Sequence, residues 1–179
     1  ALMKYTFDVF QCHGITCEHP SGWPIIGGRQ LRLEEGQLDV VEPVQKQVVL
    51  TVLWHPLDKI FSNVEKGFAV DWQPLLETYQ EKVHRKLARH ASGMTLTVTN
   101  SCNGRGLWQG EVRFRLRKGL LRAGERLVRK EMFLPCPATN RLIIAHGSYL
   151  ESQEEEFAPL TNRFVQSLRS RQEQGVCEG

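Results

Sequence analysis

Two residue types that bind metals crowd the start of the chain: Cys12, His13, Cys17 and His19. Thiolate and imidazole suit zinc, and a structural zinc site wants four such groups. The spacing is not that of a finger, because adjacent Cys12 and His13 on a strand would point to opposite faces. The plain alternative is two small buried cysteines and two histidines beside a turn. The expectation is therefore no metal and no cofactor, with this cluster kept as the one metal-site candidate. A second pair, Cys136 and His146, invites nucleophile and base roles. Cys136 falls in Leu134-Pro135-Cys136-Pro137, which reads as a turn, and His146 lies further down the next strand. That placement separates them, so a Cys/His enzyme is the competing reading and a non-catalytic protein the main one. Residues 100–106 (NSCNGRG) look like a phosphate loop, but they lack the Lys-Ser/Thr ending and read as a hairpin turn.

The sharpest feature is cationic. Between Arg105 and Lys130 there are nine basic and two acidic residues, a local balance of +7 against +3 for the whole chain. Arg113, Arg115 and Arg117 alternate along one strand face. Leu120 and Leu121 sit at the tip, followed by Arg122. Such a stripe attracts phosphate or a carboxylate-rich partner. Aromatics for base stacking are missing from that face, so nucleic acid is the weaker expectation. The acidic run from Glu151 to Glu156 is placed to neutralise part of the charge.

These groups need elements to hold them. Residues 93–149 read as four antiparallel strands. Met94, Leu96 and Val98 alternate with threonines, and Trp108, Val112 and Phe114 alternate with Arg113 and Arg115. Residues 126–134 and 142–149 continue the meander. Residues 47–54 (QVVLTVLW) read as a central strand buried on both faces. Near the start, residues 4–10 and 15–19 form a hairpin about His13-Gly14, and residues 30–33 a short strand. Residues 71–90 form a helix with Asp71 as N-cap, Gly93 as its stop, and a stripe of Trp72, Leu75, Leu76, Tyr79, Val83 and Leu87. A last helix begins at a capping box, Ser152 to Glu155, and presents Phe157, Leu160, Phe164, Val165 and Leu168. The tail from Arg171 reads as frayed.

The sum is α+β: an antiparallel sheet flanked by two helices, an α/β/α sandwich. At 179 residues, with no repeat or linker, one domain is expected over 1–179. No apolar run approaches the ~20 residues of a membrane span. Five cysteines without paired spacing argue for a reducing compartment, hence the cytoplasm.

The order of elements and several short cues resemble the PsbP/Mog-like/DcrB-like group of α/β/α sandwiches. His19-Pro20-Ser21-Gly22-Trp23 is similar to that group's opening motif. A strand like 47–54, a helix like 71–90 and a last meander strand like 141–149 follow in the same order. The closing pattern is matched by Glu156-Phe157, Phe164-Val165 and Ser167-Leu168. Gly27-Gly28, the Cys/His hairpin and the cationic hairpin match no motif of the group. The resemblance implies a non-catalytic protein that binds or assembles other proteins. Among the group's roles are photosystem assembly, Ran binding, and chaperoning of secreted effectors by DcrB-like proteins of the bacterial cytoplasm.

The partner expected is another protein offering an apolar or acidic segment, with a second copy of the chain as a further option. The residues expected to meet it are Trp108, Val112, Phe114, Arg113, Arg115, Arg117, Leu120, Leu121 and Arg122. The apolar three among them could equally be core.

Overall fold

The computed structural model describes residues 4–27, 31–61, 71–99, 108–116, 124–172 and 175–177, with backbone alone at 97–99, 108, 172 and 175–177. Strands β1 (Phe7–Cys12) and β2 (Ile15–Pro20) form the first hairpin; β3 (Ile25–Gly27), β4 (Gly36–Val41) and β5 (Val49–Pro56) follow. Helix α1 (Leu57–Ile60) and helix α2 (Trp72–Ala88) come next. Then comes the meander of β6 (Ala91–Thr99), β7 (Trp108–Leu116), β8 (Arg126–Cys136) and β9 (Arg141–Leu150). Helix α3 (Glu154–Gln166), β10 (Arg169–Gln172) and β11 (Gly175–Cys177) complete the order.

The expected antiparallel sheet is present, with strand order β3-β4-β5-β9-β8-β7-β6. A second sheet accompanies it, ordered β1-β2-β10-β11. All described pairings are antiparallel. The architecture is α+β, as the alternation implied.

Burial explains the layering. β9 is buried at eight of its ten positions, and β5 and β8 flank it. Ile143, Ala145 and Tyr149 of β9 point with Leu50, Val52, Trp54, Val128, Met132 and Leu134 toward α3 and the small sheet. Leu142 and Ile144 point the other way with Phe133, and meet Leu57, Phe61 and Leu76 of the α1–α2 side. The β6–β7 end has its own cluster, in which Val112 and Phe114 pack with Ala91, Leu127 and Leu150 and with Leu87 of α2.

Several local expectations need correction. Of residues 30–33, expected as a strand, 31–33 are described and lie outside any strand, and the edge strand is Ile25–Gly27 instead. The tail is not frayed at Arg171, because Ser170 is buried and pairs with Ile15 of β2. Asp71 does cap α2, accepting a bond from Gln73 N at 3.2 Å. Gly93 does not stop that helix, which ends at Ala88. It lies inside β6, where its φ of +58° coincides with a register shift between Ser92 and Thr95. Ser152 makes no side-chain cap, since a turn of 3-10 helix at Glu151–Gln153 precedes α3. Among the described residues no helix is long and apolar enough to cross a membrane.

One charged side chain joins the two sheets. Arg141 opens β9 and is fully buried. Its guanidinium donates to the His13 carbonyl at 2.8 Å, the Leu33 carbonyl at 3.3 Å, Thr139 Oγ1 at 3.0 Å and Ser170 Oγ at 3.3 Å. These acceptors come from the first hairpin turn, the loop before β4, the β8–β9 turn and β10. A buried acceptor left without its donor costs about 1–3 kcal/mol, so the tie is worth more than any one bond. Arg141→Ala is expected to lower unfolding stability by roughly 3 kcal/mol or more. Arg141→Lys keeps the charge but not the planar fork and should recover less than half of the loss. Urea unfolding of both variants measures this, and a change below about 1 kcal/mol for Arg141→Ala would show that the tie is dispensable.

Candidate functional site

The first hairpin takes its Cys/His group apart. The turn at His13 and Gly14 has φ of +50° and +78°, which suits a tight two-residue connection. Cys17 is opposite Phe10 and Cys12 opposite Ile15, so both cysteines face inward. Cys17 is buried, its thiol donates to the Phe164 carbonyl at 3.6 Å, and burial pushes its pKa up to about 12. His19 is buried with Nδ1 3.0 Å from the Pro20 carbonyl oxygen, and His13 Nε2 lies 3.3 Å from the Leu31 carbonyl oxygen. Among the described residues no group of three or more His, Cys, Asp and Glu is arranged around a common cation position.

Cys136 and His146 are on opposite faces of the seven-stranded sheet. Cys136 is not in a turn: it ends β8, is buried with the α3-side core, and accepts a bond from Ser170 Oγ at 3.6 Å. His146 shares its face with Leu142 and Ile144, on the α2 side. No proton can pass directly between them. Residues 100–106 lie outside the described residues.

The arginine stripe divides after its first member. Arg113 Nε donates to Glu111 at 2.8 Å, Nη1 to Glu151 at 2.8 Å, and Nη2 to Glu154 at 2.6 Å. Hydrogen bonds donated to Glu154 and Glu151 hold its guanidinium firmly protonated. Arg126 and Lys130 add ion pairs to Glu151 and Glu111. The acidic run therefore does neutralise this end, and it fastens the start of α3 to β7. Arg115 instead is exposed, with one bond from Nη1 to the Gly124 carbonyl at 3.2 Å. Val112 and Phe114 are core, 0% and 4% exposed, so the surface expected of them is closed. Trp108 begins β7 opposite Phe133. Arg117, Leu120, Leu121 and Arg122 lie outside the described residues.

Beneath α2 the sheet carries a polar row that the sequence pattern did not single out. Asp39, Thr51, His146, Glu131 and Gly110 are direct cross-strand neighbours over five adjacent strands. Thr51 donates to Asp39 at 2.7 Å. His84 of α2 reaches down and donates from Nε2 to Glu131 at 2.9 Å, while Arg129 Nε pairs with the other carboxylate oxygen at 2.9 Å. Gln80 lies one turn before His84, and a side chain at Gly110 would collide with its amide. Burial alone would push the Glu131 carboxyl up. The His84 bond and the Arg129 charge outweigh it and hold the pKa below its usual value. His146 Nδ1 is shut off from solvent, and burial followed by the Arg129 charge pushes its pKa well below normal. A histidine–carboxylate–arginine chain orients a base when it lines an open cleft. Here Glu131 and His84 are 1% and 6% exposed, so the chain acts on helix docking.

Solved structures share this arrangement over nearly the whole length. Cyanobacterial PsbP (CyanoP) from Synechocystis sp. PCC 6803 superposes with a TM-score of 0.57, covering 93% of each chain at 10% identity. The Saccharomyces cerevisiae Ran-binding protein Mog1p gives 0.53 over 93% of this chain and 96% of its own, also at 10% identity. The fold is PsbP/Mog-like. At that identity the likeness is one of fold alone. No protein-family model and no curated protein matches the sequence.

The polar residues of this PsbP/Mog-like frame leave a faint trace in the sequence. Leu76, Gln80 and His84 are the buried positions of α2, at strict four-residue spacing. Glu131 interrupts an otherwise apolar half of β8. Both shifted groups make the unfolded chain the better proton acceptor in acid. His146 begins to favour unfolding as pH falls below its ordinary value of 6.5, and Glu131 as pH falls below 4.5. Stability is thus expected to fall between about pH 7 and 5, by at most about 1.4 kcal/mol per pH unit for the one histidine. His146→Gln should flatten this slope in urea unfolding. An unchanged slope in that variant would remove His146 from the acid response.

Proposed function

We propose that the chain is a non-catalytic protein-binding module working at the β6–β7–β8 end of the large sheet. One observation supports this reading above the others: the basic face is locked at Arg113 but open at Arg115. Charge that is already paired anchors α3, and charge left in solvent beside the hairpin is available to a partner. Leu96 on neighbouring β6 is 42% exposed, but it pairs with Val112 and so lies on the other face of the sheet from Arg115. Arg117, Leu120, Leu121 and Arg122 follow directly in the chain and would complete an apolar centre with a basic rim.

Proteins of this fold include the Ran-binding protein Mog1p. Within the binding class the narrower reading is an adaptor or chaperone that covers an apolar or acidic segment of a client, in the manner of DcrB-like proteins. PsbP-like assembly of a photosystem is the alternative. A reducing compartment such as the cytoplasm is the location proposed with the adaptor role, on the unpaired spacing of the five cysteines. Affinity capture with cross-linking and mass spectrometry, comparing the parent chain with Leu120→Asp/Leu121→Asp, tests the proposal. The double variant is expected to keep its melting temperature and lose the captured partner. Collapse of thermal stability would make the leucines core, and unchanged capture would move the contact to another face.

A further inference from the structure

A groove of about 650 Å³ lies on the far side of the molecule, between β2, α3 and β10. Its floor is the outer face of the small sheet. Val9 stands opposite Glu18, and Thr16 opposite Arg169, so these four share a face, with Arg171 two residues beyond Arg169. The wall is the outward side of α3, with Pro159, Asn162, Arg163 and Gln166. A volume of this size fits a short run of side chains.

The floor carries one open aliphatic side chain, Val9, which is 64% exposed in the middle of a strand. Phe7, on the same face, is covered by the Arg163 guanidinium 3.9 Å above its ring. The rim is cationic. Among the described residues three arginines line the groove against one carboxylate, Glu18, and Arg163 Nε already holds that carboxylate at 2.7 Å. Arg169 Nη1 donates to the carbonyls of Gln166 and Leu168, which pins its charge at the C-terminal end of α3 and offsets the negative pole there. The Arg171 side chain is exposed and has no partner among the described residues.

We propose that this groove binds an extended acidic polypeptide segment with an apolar residue at its centre. The apolar side chain would rest on Val9, and flanking carboxylates would meet Arg171 and the Arg169–Arg163 rim. The argument is charge complementarity around one open apolar side chain. Phosphate would satisfy the arginines equally, but a nucleic acid also wants a ring to stack on, and the Phe7 ring on this face is capped by Arg163. The inference rests on the protein-binding reading above and names a second surface for it.

The test uses the full chain and a fluorescein-labelled peptide, Gly-Asp-Glu-Leu-Glu-Asp-Gly, titrated by anisotropy at low and moderate salt. A lysine counterpart and a uridine-rich RNA oligomer serve as controls. Micromolar binding of the acidic peptide, weakened by salt, is expected. Arg171→Glu should weaken it about tenfold and Val9→Ser about threefold, with unchanged melting temperatures because both side chains are exposed. Absence of binding, equal binding of the lysine peptide, or unchanged affinity in both variants would overturn the groove assignment. So would displacement of the peptide by the RNA oligomer, which would make the groove a phosphate site. The hairpin variant separates the two surfaces. If Leu120→Asp/Leu121→Asp loses the peptide while Arg171→Glu keeps it, polypeptide recognition stands and the groove falls. If Arg171→Glu loses the peptide while the leucine variant keeps it, the groove stands and the hairpin surface is not needed for acidic segments.

Discussion

Strands β5, β9 and β8 are buried on both faces, and everything else in the chain answers to that. A sheet with two dry faces must be covered twice. Helices α1 and α2 cover one face with Leu57, Phe61 and Leu76. The other face is wider, and α3 alone does not span it. The small sheet supplies the rest, bringing Phe10, Ile15 and Cys17 against Leu38, Val40 and Trp54. Burial of this kind is non-directional, so it does not specify where each cover sits. The polar contacts do. Glu131 receives His84 and sets α2, Arg113 receives Glu151 and Glu154 and sets α3, and Arg141 sets the small sheet.

The three arginine environments show why net charge was a poor guide. Arg141 is buried among neutral acceptors in four separate segments, and its role is positional. Arg113 is partly exposed and gathers three carboxylates, so its charge is consumed in docking a helix. Arg115, two residues along the same strand, keeps its charge in solvent. A stripe that looks uniform in sequence is thus two different things. The part with acidic neighbours from elsewhere in the chain is structure, and the remainder is surface.

The meander was legible because its pairings are local. Each of β6 to β9 pairs with the next in sequence, and period-two alternation survives intact from Gln109 to Arg115. The helix at Trp72–Ala88 was legible for the same reason, with Asp71 at its start. What escaped was whatever depends on distant chain. Arg169–Gln172 is polar and becomes a strand only because β2 offers an edge. Arg141 reads as a solvated charge until four segments converge on it. Gln80 and His84 fall outside the apolar stripe read for α2, and the sheet below supplies Glu131 to meet them. The Cys/His hairpin was legible as a turn but not as a site. Strand alternation turned both cysteines toward the core, and chemistry that looked clustered in sequence ended up packed against Phe164.

The small sheet has an order of events written into it. β1 and β2 can zip as a hairpin as soon as they exist, yet β2 next pairs with β10, about 150 residues later. During synthesis the open edge of β2 therefore waits until the residues between it and β10 are made. Its inward face, with Phe10, Ile15 and Cys17, waits with it, since α3 lies just before β10. The first hairpin is thus made well before the segments that shelter it. A cell making this protein must keep a strand edge from finding the wrong neighbour while those intervening residues are translated.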